Sequence, residues 1–155
     1  MHSAPEVGVD RSLLAEIDRI LASAGDRDDA LTSVVKAIHE ASPRHDWTGI
    51  YLVEGETLVL HNYLGEPSPH TRIPIGRGIC GAAVAERRTL VIPDVQADPR
   101  YLACSLKTRS EIVVPMAKLG YILGEIDIDS HTPDAFTESD RRTLEEVARR
   151  LSGLF

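Results

Sequence analysis

Two cysteines are the strongest candidate nucleophiles of this sequence. Cys80 follows the glycine-rich run 76–79, near the predicted start of a helix, and Cys104 lies within a long segment that has no regular pattern. The positive end of a helix lowers a thiol's pKa, so this position predicts an activated Cys80, although a tight turn that packs Cys80 inward fits the same residues. A loop favours reactivity at Cys104, and Lys107 and Arg109 would add positive potential there.

Three acidic residues form a second candidate group. Glu111 opens a predicted strand, while Asp127 and Asp129 alternate with isoleucines along a second strand. Alternation places Asp127 and Asp129 on the same face of a sheet. Carboxylates are costly inside a packed core, so this face is either a solvated strand end or the wall of a site that receives a cation.

Two aromatic residues complete the set. Trp47 and Tyr51 are four residues apart on a predicted strand and therefore point to the same side. They are either core residues or a surface for an ammonium group or a soft sulfur atom. Taken with the carboxylates and a loop thiol, they suggest a site for a ligand of amino-acid size.

Composition excludes several classes of protein. The 155 residues are 43% hydrophobic and 26% charged, with a net charge of −7, as in a globular domain rather than a binder of nucleic acid or of anionic membranes. No apolar run is long enough to span a membrane, and residues 1–6 lack the pattern of a secretory signal. We therefore expect a cytoplasmic protein. Two thiols without a histidine pair at ligand spacing predict neither a metal nor a cofactor.

The elements that must position these residues follow from hydrophobic periodicity. Two amphipathic helices are predicted first, then a hairpin, a short helix, a single strand, a second hairpin and a final helix capped at Thr137. Tight strand connections require antiparallel pairing, which predicts an α+β fold. We expect one domain over residues 1–155, with a core of about 10–154, a central twisted antiparallel sheet, terminal helices on one face and pocket-forming loops on the other. The predicted elements are helices 10–24, 26–41, 79–86 and 137–154, strands 47–53, 57–63, 89–92, 111–117 and 121–129, and loops 64–72 and 93–109.

Several motifs resemble those of a known family. The chain resembles a GAF domain and, more narrowly, the free methionine-(R)-sulfoxide reductases built on that fold. The resemblance covers about 13–151, and the step of 24 residues from Cys80 to Cys104 matches that between the family's two later cysteines. The motifs are Trp-Thr-Gly-Ile-Tyr at 47–51, Arg-Ile-Pro-Ile-Gly-Arg-Gly-Ile-Cys-Gly at 72–81, Asp-Val at 94–95, Leu-Ala-Cys at 102–104, Ser-Glu-Ile-Val-Val-Pro at 110–115 and Asp-Ile-Asp-Ser at 127–130.

The resemblance implies a role for each candidate residue. Cys104 would attack the sulfoxide sulfur of free methionine sulfoxide, which releases methionine and leaves a cysteine sulfenic acid. A second thiol would then form a disulfide with Cys104, and thioredoxin or a small thiol would reduce it. The acidic residues would bind the substrate ammonium and assist protonation of the oxygen, and the aromatic residues would hold the methyl-sulfoxide end. The implied substrate-binding residues are Trp47, Tyr51, Glu111, Asp127 and Asp129.

Two positions depart from the family pattern. His70 stands where these enzymes carry the cysteine that resolves the sulfenic acid, and Ser105 replaces the usual aspartate. Cys80 could resolve Cys104 instead if the two sulfur atoms lie close together. The alternatives are a noncatalytic GAF domain that senses a small molecule and a dimerisation domain that pairs through helices 10–24 and 137–154. A homodimer is compatible with each of these functions.

Overall fold

The computed structural model describes residues 8–102 and 106–155. Cys104 lies outside the described residues, so its assignment as the nucleophile stays a prediction. The described elements, in chain order, are α1 (Arg11–Ser23), α2 (Arg27–Glu40), β1 (Trp47–Glu54), β2 (Thr57–Leu64), β3 (Arg72–Pro74), α3 (Gly78–Glu86), β4 (Leu90–Ile92), a 3₁₀ turn (Val95–Ala97), β5 (Ser110–Lys118), β6 (Tyr121–Ser130) and α4 (Glu138–Ser152).

Side-chain caps fix where three of the helices begin. The carboxylate of Asp10 accepts a hydrogen bond from the amide of Leu13, and Asp26 caps α2 in the same way. Thr137 and Asp140 form a reciprocal capping box at α4. Each cap satisfies amide groups that have no partner within the helix, which explains why the predicted helix starts are confirmed.

The six strands form one antiparallel sheet in the order β3-β2-β1-β6-β5-β4. Both predicted hairpins are present, as β1–β2 and β5–β6. The sequence prediction missed β3, because a strand of three residues that ends in Pro74 carries almost no pattern. Proline is tolerated there since β3 lies at the edge of the sheet.

The two faces of the sheet are covered differently, as predicted. Helices α1, α2 and α4 pack on one face against an apolar cluster that contains Ile126 and Ile128 of β6. The short helix α3 packs against β5 and β6 on the other face, together with the loops. No helix in residues 8–102 and 106–155 is long and apolar enough to cross a membrane. The α+β architecture is therefore confirmed.

Candidate active site

Strand pairing brings the predicted acidic and aromatic residues together on the face that α3 covers. Asp129 of β6 lies between Trp47 of β1 and Glu111 of β5. Asp127 lies two residues back on the same strand, opposite Gly49. Trp47 and Asp129, which are 82 positions apart in the sequence, thus become direct neighbours.

The carboxylates are not a solvated strand end. Asp127 is 3% exposed and Asp129 is 4% exposed, although both lie near the C-terminal end of β6. Ile126 and Ile128, which alternate with them, belong to the apolar cluster under the helices. The prediction that the two aspartates share one face is confirmed, and the solvated alternative is wrong.

Glu125 adds a fourth carboxyl that the sequence analysis missed. It extends the alternation of Asp127 and Asp129 by two residues, and it lies opposite Tyr51. Its side chain is fully buried, and neither carboxyl oxygen has a hydrogen-bond partner among the described residues. The sequence contains the signal for Glu125, because the alternation of acidic residues with isoleucines begins at this residue. We call Glu111, Glu125, Asp127 and Asp129 the acidic wall.

Burial is the main cause of the raised pKa values of the acidic wall. It raises the pKa of Glu111, Glu125 and Asp129 well above the usual range, and neighbouring carboxyls raise these pKa values further. The pKa of Asp127 is also raised by burial, while interactions with Glu111 and Cys80 oppose this rise. Among residues 8–102 and 106–155, no lysine or arginine forms an ion pair with the wall.

The aromatic residues form one surface beside the wall. The ring centroids of Trp47 and Tyr51 are 6.4 Å apart, and Trp47 stacks on Tyr63 at 5.7 Å. Gly49 permits this arrangement, because a Cβ atom there would lie 2.4 Å from the indole ring of Trp47. The Nε1 atom of Trp47 is buried and has no hydrogen-bond partner in the described part of the chain.

Cys80 is the third residue of α3 and faces the acidic wall. Its Sγ donates a hydrogen bond to Oδ2 of Asp127 at 3.2 Å. The helix begins at Gly78, which has a φ of 68° and packs against Leu102, so that a side chain would be both strained and obstructed. α3 packs against β5 and β6, and the Cys80 thiol is buried there.

The structure decides between the two predictions for Cys80: the inward-packed thiol is confirmed, and the activated thiol is wrong. Burial raises the pKa of the Cys80 thiol well above its usual value, and the negative charges of Asp127, Glu125 and Glu111 raise it further. The helix dipole contributes only about half a positive charge at its end. Burial together with three nearby carboxyls outweighs that dipole, and Cys80 is held as a protonated thiol.

Two small cavities adjoin the wall. One of about 20 Å³ is lined by Tyr51, His70, Cys80, Glu111 and Asp127, among others. The other, of about 40 Å³, is lined by Trp47 and Asp129 together with loop residues. Each has room for a water molecule or two, which is less than the volume of an amino acid.

A larger cleft of about 500 Å³ lies elsewhere, between the β1–β2 hairpin and the end of the chain. Its charged and aromatic lining includes Arg27, His61 and Phe155, and Arg27 stacks over the Phe155 ring at 4.9 Å. Neither Cys80 nor any carboxyl of the acidic wall lines it. Its size therefore does not make it the candidate site.

Three further residues that the sequence analysis considered are His70, Lys107 and Arg109, and their contacts are with backbone or with an exposed side chain. The carbonyl of His70 accepts a hydrogen bond from the Tyr51 hydroxyl at 2.7 Å, so the backbone of this loop is tied to the site. Lys107 forms an exposed ion pair with Glu66, and Arg109 donates to backbone carbonyls. Their predicted effect on Cys104 stays a prediction.

Comparison with known protein families identifies the class of this domain. The family model of the GAF domain matches residues 26–154, and the chain belongs to this family. The prediction that this is a GAF fold is thereby confirmed.

Particular relatives narrow the class further. The free methionine-R-sulfoxide reductase of Escherichia coli is 36% identical over 121 residues, which are 78% of this chain and 73% of the relative. The structure of the free methionine-R-sulfoxide reductase from Neisseria meningitidis, in complex with its substrate, has 36% identity and a TM-score of 0.90, and the match covers 100% of this chain and 93% of that one. The Staphylococcus aureus structure of this reductase with substrate is 30% identical, has a TM-score of 0.86 and covers 99% and 98% of the two chains. The relatives of this chain thus include free methionine-R-sulfoxide reductases.

Proposed function

We propose that this protein reduces free L-methionine-(R)-sulfoxide to methionine at the expense of thiols. The observation that carries the proposal is the acidic wall, whose four buried carboxyls have no cationic side chain as partner in the described part of the chain. Buried charges are normally paired, and the ammonium group of a free amino acid would supply the missing positive charge. The activity named for the relatives requires a substrate with such a group.

Binding of the substrate divides between the two surfaces. Asp127, Asp129 and Glu111 hold the ammonium group, since they lie side by side on β6 and β5. Trp47 and Tyr51 hold the methyl-sulfoxide end, where the Nε1 donor of Trp47 suits the sulfoxide oxygen. Glu111 is the candidate acid to protonate this oxygen, because burial and the neighbouring carboxyls raise its pKa.

The chemical step removes one oxygen atom from the sulfoxide. The sulfur of Cys104 attacks the sulfur of the protonated sulfoxide and forms an S–S bond, while the S–O bond breaks and the oxygen leaves as water. A water molecule then attacks the Cys104 sulfur, which breaks the S–S bond, releases methionine and leaves Cys104 as a sulfenic acid. Methionine leaves in the reduced form, so the cysteine sulfur is oxidised by the two electrons that the sulfoxide gains. No metal or cofactor takes part in this scheme.

Cys80 is the thiol in this chain that we propose to resolve the sulfenic acid. Its attack on Cys104 would form a disulfide and release water, and thioredoxin or a small thiol would reduce that disulfide by exchange. Asp127, already hydrogen-bonded to Cys80 at 3.2 Å, would accept the thiol proton. This pairing requires that the Cα atoms of the two cysteines come within about 7 Å.

The test is turnover with each epimer of free methionine sulfoxide, with dithiothreitol as reductant. We expect the R epimer to be consumed and the S epimer to remain. Cys104→Ser should abolish turnover, while Cys80→Ser should impair turnover with thioredoxin more than turnover with dithiothreitol. Equal consumption of both epimers, or full activity of Cys104→Ser, would contradict the proposal.

One observation favours a second candidate function, a noncatalytic GAF domain that binds a small molecule. His70 replaces a cysteine that the reductases typically use, and its loop is tied to Tyr51 within the site. The absence of turnover with either reductant, together with binding of methionine, would select this function.

A cytoplasmic location and a homodimer are also part of our proposal.

A further inference from the structure

Three residues of the site form an arrangement that suits a metal ion. Cys80 offers Sγ, and Glu111 and Asp127 each offer a carboxylate oxygen, with all three atoms within 4.8 Å of one another. All three side chains are buried. Sequence spacing did not indicate this set, because its members come from α3, β5 and β6.

A second observation, the unpartnered buried carboxyl oxygens beside these residues, points to a ligand. Oδ1 of Asp127 is buried without a hydrogen-bond partner among the described residues, as are both carboxyl oxygens of the adjoining Glu125. Glu125 is fully buried, and its negative charge raises the pKa of the Cys80 thiol. Buried oxygens of this kind are normally satisfied by hydrogen bonds or by a cation.

We propose that Cys80, Glu111 and Asp127 bind a thiophilic divalent cation of the Zn²⁺ class, which inhibits the protein by occupying the place of the substrate ammonium. The identification of that place rests on the proposed function, whereas binding of the ion does not. The three residues are chemically suited to Zn²⁺, which binds thiolate sulfur at about 2.3 Å and carboxylate oxygen at about 2.0–2.2 Å.

The spacing and the chemistry of the three ligand atoms favour Zn²⁺ over Mg²⁺ and Ca²⁺. Around one tetrahedral ion these bond lengths place the ligand atoms about 3.3–3.7 Å apart, which is within reach of three atoms that already lie within 4.8 Å of one another. The thiol proton is released when the metal binds, as at other thiolate sites. Mg²⁺ and Ca²⁺ prefer six or more oxygen ligands, and we expect neither to bind here.

The test uses Cd²⁺ as a spectroscopic probe of thiolate coordination. In Cys104→Ser, Cys80 is the one remaining thiol of the chain. We expect one equivalent of Cd²⁺ to produce an ultraviolet charge-transfer band in this variant. The band should vanish when Cys80→Ser is added, and Asp127→Asn or Glu111→Gln should weaken Cd²⁺ binding at least tenfold.

A matched control separates this site from exposed acidic groups. Asp28 is an exposed carboxylate that pairs with His61 at 2.8 Å, and Asp28→Asn should leave the band and the affinity unchanged. A missing band in folded Cys104→Ser would overturn the proposal, as would unchanged Cd²⁺ binding in both carboxyl variants. Circular dichroism establishes that each variant is folded.

Activity measurements then distinguish the two proposals. Zn²⁺ should inhibit the wild-type protein competitively with methionine sulfoxide. A Cd²⁺ band in a protein without reductase activity would support the metal site and contradict the proposed function. Turnover without any band would support the proposed function and overturn the metal site.

Discussion

Strand β6 presents two opposite environments along the five residues 125–129. On the side of α1, α2 and α4, Ile126 and Ile128 are fully buried in an apolar cluster. On the side of α3, Glu125, Asp127 and Asp129 are also buried, yet they carry carboxyl oxygens without hydrogen-bond partners in the described part of the chain. The helical face has the composition of a core that stabilises the fold, whereas the other face accepts a cost in stability of the kind found in binding sites.

The largest expected effect comes from truncation on the helical face. Ile128→Ala should lower the free energy of unfolding by about 2–5 kcal/mol, because it removes methyl groups from a fully packed position. Urea denaturation measures this loss. Leu119→Ala, at a side chain that is 89% exposed, should change stability little, and an equal loss in the two variants would contradict the assignment of the helical face as the core.

The next effect concerns the function of the opposite face. Asp127→Asn keeps the size of the side chain and removes the charge that we propose to hold the ammonium. A hydrogen bond to a charged group contributes about 1.5–3 kcal/mol, so kcat/KM for the R epimer should fall about ten- to a hundredfold. Steady-state kinetics measure this fall, with the exposed Glu54→Gln on β1 as the control. An unchanged kcat/KM in Asp127→Asn would remove the aspartate from the site.

The smallest effect is a pH dependence of stability. The pKa of Glu125 is raised above 4.5 by burial, so the folded state holds a proton that the unfolded state releases, and stability falls as pH rises through this range. Glu125→Gln cannot ionise and should remove that part of the fall, by about 1.4 kcal/mol for each pH unit of pKa elevation.

Thermal unfolding between about pH 5 and pH 8 measures this difference. The melting temperature of Glu125→Gln should approach that of the wild type at the acidic end and exceed it increasingly toward the alkaline end. A constant difference across the range would show that Glu125 does not titrate in this way.

Local patterns predicted the two faces well and their interactions poorly. Alternation identified Asp127 and Asp129 as neighbours on one face, and the spacing of Trp47 and Tyr51 did the same for the aromatic surface. The sequence left the state of Cys80 open between an activated and an inward-packed thiol, since its helix is local in sequence while Asp127, which contacts the thiol, is 47 residues away. Long-range pairing of this kind is decided by the packing of α3 on the sheet, which no short segment reveals.

The central claim is that the acidic wall recognises the ammonium group of a free amino acid. The most direct measurement compares turnover of L-methionine-(R)-sulfoxide with that of its N-acetyl derivative, which has the same sulfoxide and no ammonium group. The account predicts that the free amino acid is reduced and that kcat/KM for the acetylated compound is lower by at least about a hundredfold, the loss of a buried ion pair. Equal turnover of the two compounds would contradict it.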